Sequence, residues 1–235
     1  RLLVVLAILY GLLLGAAYVF GPTLVYRPTS LSEAQIQRAA EAVPGWQVIT
    51  LDVPRDPAVT TVDADTAMLQ LTGLVRPPQR TPTEAAPGYW LVYFGGNASD
   101  LSESQQRISR ILEPDDDSDD ARRTGATWGA ITLAYRGYDA SEGQPTQAAL
   151  MADAARLVEY LHETRGVPYE RIVLVGYSLG SGVAMQESAR LHTATTPPAA
   201  TVLLTPHLSI ARLASRAALG IPVGFAMKDP WRSEE

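Results

Sequence analysis

The sequence contains no cysteine among its 235 residues, so disulfide bonds and thiolate metal sites are excluded. It also lacks an excess of basic charge, because 19 lysines and arginines stand against 25 aspartates and glutamates for a net charge of −6. Nucleic-acid-binding domains normally present a basic face, and we therefore predict no nucleic-acid partner. No repeat of roughly 20 to 50 residues is present, which argues against a solenoid.

Metal and cofactor motifs are scarce as well. The acidic run from Glu113 to Asp120 lacks the glycine and the distal glutamate of a calcium-binding EF-hand loop. We interpret it as a solvated surface loop and predict neither a metal nor a cofactor.

One long apolar segment, Leu2 to Phe20, contains no charged residue. A membrane-spanning helix needs about 20 such residues, and the aromatic side chains of Tyr18 and Tyr26 suit its far interface. We predict a retained single-pass anchor with its flank over residues 1–27. A cleaved signal peptide, for which Gly15-Ala16-Ala17 supplies small residues, is the alternative.

The remaining residues, 28–235, are enough for one domain with a single core. If Arg1 belongs to a basic flank, the positive-inside rule puts this domain on the non-cytoplasmic side of the membrane.

Strand-like and helix-like segments alternate after the anchor. Ser30-Leu31-Ser32-Glu33 has the form of a capping box and predicts a helix to about Ala42. The pattern predicts strands at residues 46–53, 67–75, 89–94, 128–135, 171–175 and 200–204, and helices at 101–112, 147–165, 179–191 and 208–219. This alternation predicts a mainly parallel sheet with helices on both faces and an antiparallel edge from the first two strands. Such sheets place their chemistry at the carboxyl ends of the strands.

Gly176-Tyr177-Ser178-Leu179-Gly180 follows one such strand directly and precedes a helix. A strand that turns at once into a helix strains the corner residue and pushes its side chain outward, and the two glycines avoid collisions there. We therefore predict Ser178 as a nucleophile. The N–H of Leu179 begins the helix and would face a developing oxyanion.

Gly95-Gly96-Asn97-Ala98 follows an earlier strand, where a second oxyanion donor is expected. Small residues let the backbone approach a substrate, and the N–H of Asn97 is the predicted donor. A plain turn is the alternative interpretation.

A third segment, Tyr135-Arg136-Gly137-Tyr138-Asp139-Ala140-Ser141-Glu142-Gly143, makes the pattern specific. With the anchor, the Asn97 loop and the Ser178 turn, it resembles the membrane-anchored branch of the α/β-hydrolases, which is serine-aminopeptidase-like or acyl-protein-thioesterase-like. Those proteins share a Tyr-Arg-Gly-Tyr-Gly-x-Ser-x-Gly segment and a His-Gly-Asn loop. Here Gly95 replaces the usual histidine and Asp139 the usual glycine. Arg136 is interpreted as a residue that bonds neighbouring loops.

The resemblance implies the α/β-hydrolase fold and a serine hydrolase that cleaves an ester, thioester or amide of a small acyl substrate or an acylated protein. The triad order is then serine, acid, histidine. Glu187 falls inside a helix, so no acid stands at a strand end between Ser178 and His207, and we predict His162 and His192 as surface residues.

We therefore expect the last strands, with the acid and the base, beyond residue 235, and we expect these 235 residues alone to be inactive. His207 as the base is the weaker possibility. A membrane-tethered binding domain without catalysis is the alternative function.

Overall fold

In a computed structural model of the chain, the described residues are 1–59, 61–63, 65–79, 88–112, 127–194, 196–206, 209–217, 221 and 223–231. The chain divides into two units: Arg1–Arg27 together with His207–Glu235, and Pro28–Pro206. The sequence-based division placed residues 207–235 in the larger part, whereas the structure groups them with the N-terminal helix. The predicted acidic loop at residues 113–120 lies outside the described residues.

The larger unit is built on one six-stranded sheet. Its strands are β1 (Gln47–Pro54), β2 (Met68–Arg76), β3 (Gly88–Phe94), β4 (Thr127–Leu133), β5 (Ile172–Tyr177) and β6 (Ala200–Leu204), in the order β1-β2-β4-β3-β5-β6. β4, β3, β5 and β6 pair in parallel, while β2 pairs antiparallel with both β1 and β4. The prediction of a mainly parallel sheet with an antiparallel edge is confirmed.

Within the described ranges, the helices that flank this sheet are α2 (Glu33–Ala42), α3 (Leu101–Leu112), α4 (Gln147–Glu159) and α5 (Leu179–Ala194). The connection from β3 to β4 runs toward β2, whereas those from β4 to β5 and from β5 to β6 run the other way. Since such crossovers are right-handed, α3 lies on one face of the sheet and α4 and α5 on the other. Consistent with this, α2 contacts α3, and α4 contacts α5.

Helix bounds differ from the sequence-based prediction in α2, α4 and α5, the last of which ends at Ala194 and not at residue 191. The capping box of α2 starts at Ser32, whose backbone N–H donates to Oε1 of Gln35 at 2.9 Å, and not at Ser30. Two serines two residues apart make the pattern ambiguous, and the one nearer the helix takes the capping position. The predicted helix over residues 147–165 ends as an α-helix at Glu159 and continues as a π-turn over Tyr160–Thr164.

The core of this unit lies around the central parallel strands. β3 and β5 are apolar on both of their faces because helices cover both sides of the sheet. Each fully buried aliphatic side chain there contributes about 1.5–3 kcal/mol relative to exposure. Side chains with no more than 2% exposure in the central strands are Leu91, Val92, Tyr93, Ala130, Ile131, Thr132, Ile172 and Leu174.

The smaller unit contains α1 (Leu2–Val25), α6 (Ile210–Ala217) and a 3-10 turn at Gly224–Ala226. α1 is long and apolar enough to cross a membrane, and its residues from Leu2 to Phe20 are exposed or half-buried. The helix predicted at residues 208–219 is described over Ile210–Ala217.

Candidate active site

The carboxyl ends of β3 and β5 lie side by side, and the chain leaves them toward opposite faces of the sheet. The loop after β3 leads to α3 on one face, and the turn after β5 leads to α5 on the other. A crevice opens at such a reversal, and open α/β sheets bind their ligands there. The fold therefore brings the Gly95–Asn97 loop beside the Ser178 turn.

Ser178 forms the corner between β5 and α5. Its φ of +50° lies in the left-handed region, which costs a residue with a side chain about 1–2 kcal/mol. Its backbone N–H donates to the carbonyl of Leu204 at the end of β6, at 2.9 Å. The Ser181 hydroxyl, buried in the first turn of α5, lies 3.1 Å from both the Gly176 and the Leu204 carbonyl oxygens. The strained corner is thus bonded to the two neighbouring strand ends.

The two glycines of this turn have no room for a side chain. A Cβ on Gly176 would collide with the backbone of Gly180, and a Cβ on Gly180 would collide with the carbonyl of Phe94 and lie 2.7 Å from that of Gly95. The same approach that excludes side chains brings the first turn of α5 against the loop after β3. Leu179 is the first residue of α5, so its N–H is among those that have no acceptor within the helix.

Hydrogen bonds fix the peptide planes of the Gly95–Asn97 loop. The Gly96 N–H donates to Oγ of Ser99 at 3.2 Å, and the Gly96 carbonyl accepts from the Ser99 N–H at 3.2 Å. In a trans peptide the N–H points opposite to the carbonyl, so the second bond sets the direction of the Asn97 N–H, away from Ser99. The Gly96 N–H is engaged by Ser99.

Two tyrosines hold the same loop from the segment after β4. The Tyr135 hydroxyl donates to the Gly95 carbonyl at 2.8 Å, and the Tyr138 hydroxyl donates to the Asn97 carbonyl at 2.9 Å. Their rings meet edge to face, with centroids 5.6 Å apart. Sequence reasoning quoted both tyrosines within a motif but gave them no role. The sequence signal that could have indicated a role for them is that the two tyrosines lie three residues apart in a loop that follows a buried strand.

Asp139 occupies the position where the resembling family has glycine. Its φ of +48° explains that preference, because glycine adopts this conformation without cost. The aspartate compensates with its carboxylate, which accepts from the N–H of Leu101 at 2.9 Å and from the N–H of Leu31 at 3.1 Å. It thereby joins the start of α3 to the segment that precedes α2.

Arg136 is buried and forms a two-point ion pair with Asp153 on α4, at 2.6 and 2.7 Å. Its guanidinium also donates to the carbonyls of Pro54 and Arg55. Burial raises the pKa of the Asp153 carboxyl, and the hydrogen bonds from Arg136 oppose that rise. The interpretation of Arg136 as a residue that bonds neighbouring segments is confirmed.

The two described histidines are exposed, as predicted, and lie away from Ser178. His162 stacks on Tyr169 with ring centroids 4.1 Å apart. Tyr169 lies just before β5 begins, so this pair lies near the amino end of that strand, whereas Ser178 follows its carboxyl end. His192 lies near the end of α5, about 20 Å along the helix at 1.5 Å per residue. His207, the weaker candidate for the base, lies outside the described residues.

Glu187 on α5 is fully buried and accepts from Arg190 at 2.7 and 2.8 Å. Burial raises the pKa of its carboxyl, and the bonds from Arg190 oppose the rise. Across the described ranges, no group of three or more His, Cys, Asp or Glu side chains could hold a metal ion.

The parallel strands, the reversal between β3 and β5 and the strained serine between strand and helix define the class: the chain has the α/β-hydrolase fold. The crystal structure of an α/β-hydrolase from Vibrio vulnificus superposes on it with a TM-score of 0.59 at 16% identity, over 88% of this chain and 74% of that one.

Sequence comparison finds relatives that include the following three proteins. Protein bem46 of Schizosaccharomyces pombe is 28% identical over 177 residues, which cover 75% of this chain and 51% of that protein. The α/β-hydrolase domain-containing protein WAV2 of Arabidopsis thaliana is 43% identical over 96 residues, 41% of this chain and 28% of that protein. Lysophosphatidylserine lipase ABHD12 of Danio rerio is 35% identical over 80 residues, 34% of this chain and 20% of that protein.

No protein-family model matches the chain. The structural superposition shows the α/β-hydrolase fold for this chain. The chain spans about half the length of bem46 and a smaller share of the other two relatives.

Proposed function

We propose that the protein is a serine hydrolase that cleaves an ester, thioester or amide through an acyl-enzyme on Ser178. The observation that carries the proposal is the φ of +50° at Ser178, between two glycines that have no room for a Cβ. That backbone conformation costs free energy in a residue that has a side chain, and such strain is typical of functional sites.

In this mechanism the Ser178 Oγ attacks the substrate carbonyl carbon and gives its proton to a histidine base. The carbonyl oxygen becomes an oxyanion, which accepts from the N–H groups of Leu179 and Asn97. Collapse of this intermediate breaks the bond to the leaving group, which takes the proton from the histidine. Water then repeats the sequence on the acyl-enzyme and releases the acid.

The proposed mechanism needs a histidine base and an acid that orients it, and the described histidines and Glu187 do not meet this need. His162 and His192 are remote from Ser178, and the Glu187 carboxylate is bonded to Arg190. The histidine takes the proton from the Ser178 hydroxyl. Without this base, the hydroxyl is a poor nucleophile at neutral pH.

We further propose that the substrate is an acyl ester presented at a membrane surface and that α1 keeps the protein there. The exposed apolar face of α1 and the lipase activity named for the Danio rerio relative support this choice over a soluble ester. The catalytic groups include no metal and no cofactor.

Turnover by the full-length protein tests the proposal. We expect release of p-nitrophenol from short-chain esters with an initial burst, because the acyl-enzyme forms before it is hydrolysed. Ser178→Ala should abolish both phases. Ser188→Ala, ten residues further along α5, should retain them. Ester binding without turnover in the unaltered protein would instead favour the non-catalytic binding domain.

A further inference from the structure

The last turns of α1 are covered by residues that lie about 200 positions later in the chain. Lys228 Nζ lies 4.5 Å from the centre of the Tyr18 ring, and the side chain of Met227 lies 3.7 Å from the Cβ position of Gly21. The indole N–H of Trp231 donates to the Tyr26 hydroxyl at 3.1 Å, and Trp231 is fully buried.

These contacts lie at the depth where a spanning helix leaves the hydrocarbon. The 24 residues of α1 extend about 36 Å at 1.5 Å per residue, against a hydrocarbon core of about 30 Å. Its last turns therefore extend into the headgroup layer if Leu2 lies near the opposite boundary. Tyrosine, tryptophan and lysine are the residues that occupy this layer, where an apolar body and a polar tip are both satisfied.

Residues 209–217 and 223–231 are joined by hydrogen bonds and close packing, and together with Ile221 we call them the collar. The Ala211 N–H donates to the Pro230 carbonyl at 3.0 Å, and the Gly224 N–H donates to the Ser215 hydroxyl at 3.1 Å. The backbone of Gly224 packs so closely on Ala211 that no Cβ would fit. α6 is thereby connected to the segment that contacts α1.

Charge is distributed very unevenly between the two units. The unit of residues 1–27 and 207–235 holds six of the 19 basic residues but only three of the 25 acidic ones, a net charge of +3. The other unit then carries −9. Arg212 and Arg216 are exposed on successive turns of α6. Basic residues near an anionic bilayer are attracted to its surface.

We propose that the collar is a second membrane contact, seated in the headgroup layer of an anionic phospholipid bilayer beside the end of α1. The proposal rests on the anchoring role given to α1 in the proposed function and is independent of hydrolysis at Ser178. In this arrangement α1 holds the chain in the bilayer, while Arg212, Arg216 and Lys228 bind lipid phosphates.

Spin-label accessibility tests the collar in the full-length protein, reconstituted into vesicles of phosphatidylcholine with phosphatidylserine. The 235 residues contain no cysteine. An introduced cysteine therefore carries the nitroxide at one chosen position among them, either through Ile221→Cys or, as a matched control, through Val62→Cys. These side chains are similarly exposed, at 40% and 45%, and lie in different units. We expect the ratio of oxygen to nickel-chelate collisions to be severalfold higher at position 221, because oxygen partitions into lipid and the chelate into water.

The outcomes separate the two proposals. Vesicle flotation of both labelled proteins, with equal aqueous accessibility at positions 221 and 62, would overturn the collar and leave the anchor standing. Failure of both proteins to float would overturn the anchor and the collar together. Neither result concerns hydrolysis, which the Ser178→Ala assay tests separately.

Charge substitutions give a second readout on the same label. Arg212→Gln with Arg216→Gln should lower the collision ratio at position 221 in vesicles that contain phosphatidylserine. The control pair, Arg38→Gln with Arg110→Gln, changes exposed arginines of the other unit and should leave the ratio unchanged. An equal effect of both pairs, or no effect of either, would contradict recognition of anionic lipid by the collar.

Discussion

Individual side chains, and glycines that have none, determine the geometry around Ser178. The serine holds a left-handed conformation, and the glycines on either side are required by contacts with backbone atoms, which cannot move aside as the end of a flexible side chain can. The backbone N–H of Ser99 donates to the carbonyl of the peptide whose N–H is the proposed oxyanion donor, and the Ser99 hydroxyl accepts from the N–H of Gly96.

Gly180→Ala should destabilise the protein by at least about 1–3 kcal/mol, because the added methyl group overlaps the carbonyls of Phe94 and Gly95. Gly166→Ala is the control for conformational cost alone. Gly166 has a φ of +65° and open space around its Cβ position, so we expect a loss of only about 1 kcal/mol there. Chemical denaturation of the two variants measures both values, and equal losses would contradict the steric argument.

Tyr138→Phe should lower kcat of the full-length protein by roughly fivefold with little change in KM. Loss of one neutral hydrogen bond is worth about 1 kcal/mol, and here it loosens the loop that carries the Asn97 N–H. A merely structural role would lower the melting temperature and leave the kinetic constants of the folded enzyme unaltered. Tyr160→Phe removes a hydroxyl remote from the crevice and should not change kcat.

At the scale of secondary-structure elements, the site depends on how α2, α3 and the loop after β4 are joined. Asp139 makes that junction with two hydrogen bonds from one carboxylate, at the expense of backbone strain. The helix α3 also has its own cap, because Asp100 accepts from the N–H of Glu103 at 2.7 Å. The loop that begins at Gly95 is therefore fixed at its far end by two aspartates.

Asp139→Ala should destabilise the protein more than Asp139→Gly does, by about 1 kcal/mol. Both variants lose the bonds to Leu31 and Leu101, but glycine also relieves the strain at φ +48° whereas alanine retains it. Thermal or chemical unfolding of the pair measures the difference. If alanine were as stable as glycine, the strain assigned to Asp139 would be wrong.

Most of the sheet could be predicted because its signals are local. The apolar run before Ser178 predicts β5, and β6 at Ala200–Leu204 coincides with its predicted limits. The turn around Ser178 could be recognised in the sequence because glycines at this spacing indicate close contact between backbone segments. The roles assigned there to Ser178, Leu179 and Asn97 stay predictions.

Other features depend on tertiary contacts that have no local pattern. Tyr135 and Tyr138 reach carbonyls about 40 positions away, and a tyrosine in a loop does not specify its acceptor. The grouping of residues 207–235 with α1 was missed for the same reason, since Trp231 and Tyr26 are 205 positions apart.

At the scale of the whole molecule, an acidic unit of residues 28–206 is joined to a basic, strongly apolar unit that includes α1.

Substituting arginine for two leucines in the middle of α1, Leu9→Arg with Leu12→Arg, should release the full-length protein from membranes. Each charge near the bilayer centre costs about 2.5–3.5 kcal/mol on insertion. Alkaline carbonate extraction measures the effect, and Leu9→Ala with Leu12→Ala is the control that should stay in the pellet. Extraction of the unaltered protein would favour a peripheral or processed form.

The central claim is that Ser178 is the nucleophile, and covalent labelling tests it most directly. The full-length protein is treated with a fluorophosphonate, digested, and the adduct located by mass spectrometry within the peptide of residues 172–190, which also contains Ser181 and Ser188. We predict one adduct, on Ser178, that disappears in Ser178→Ala and persists in Ser188→Ala. An adduct on another serine, or undiminished labelling of Ser178→Ala, would contradict the assignment.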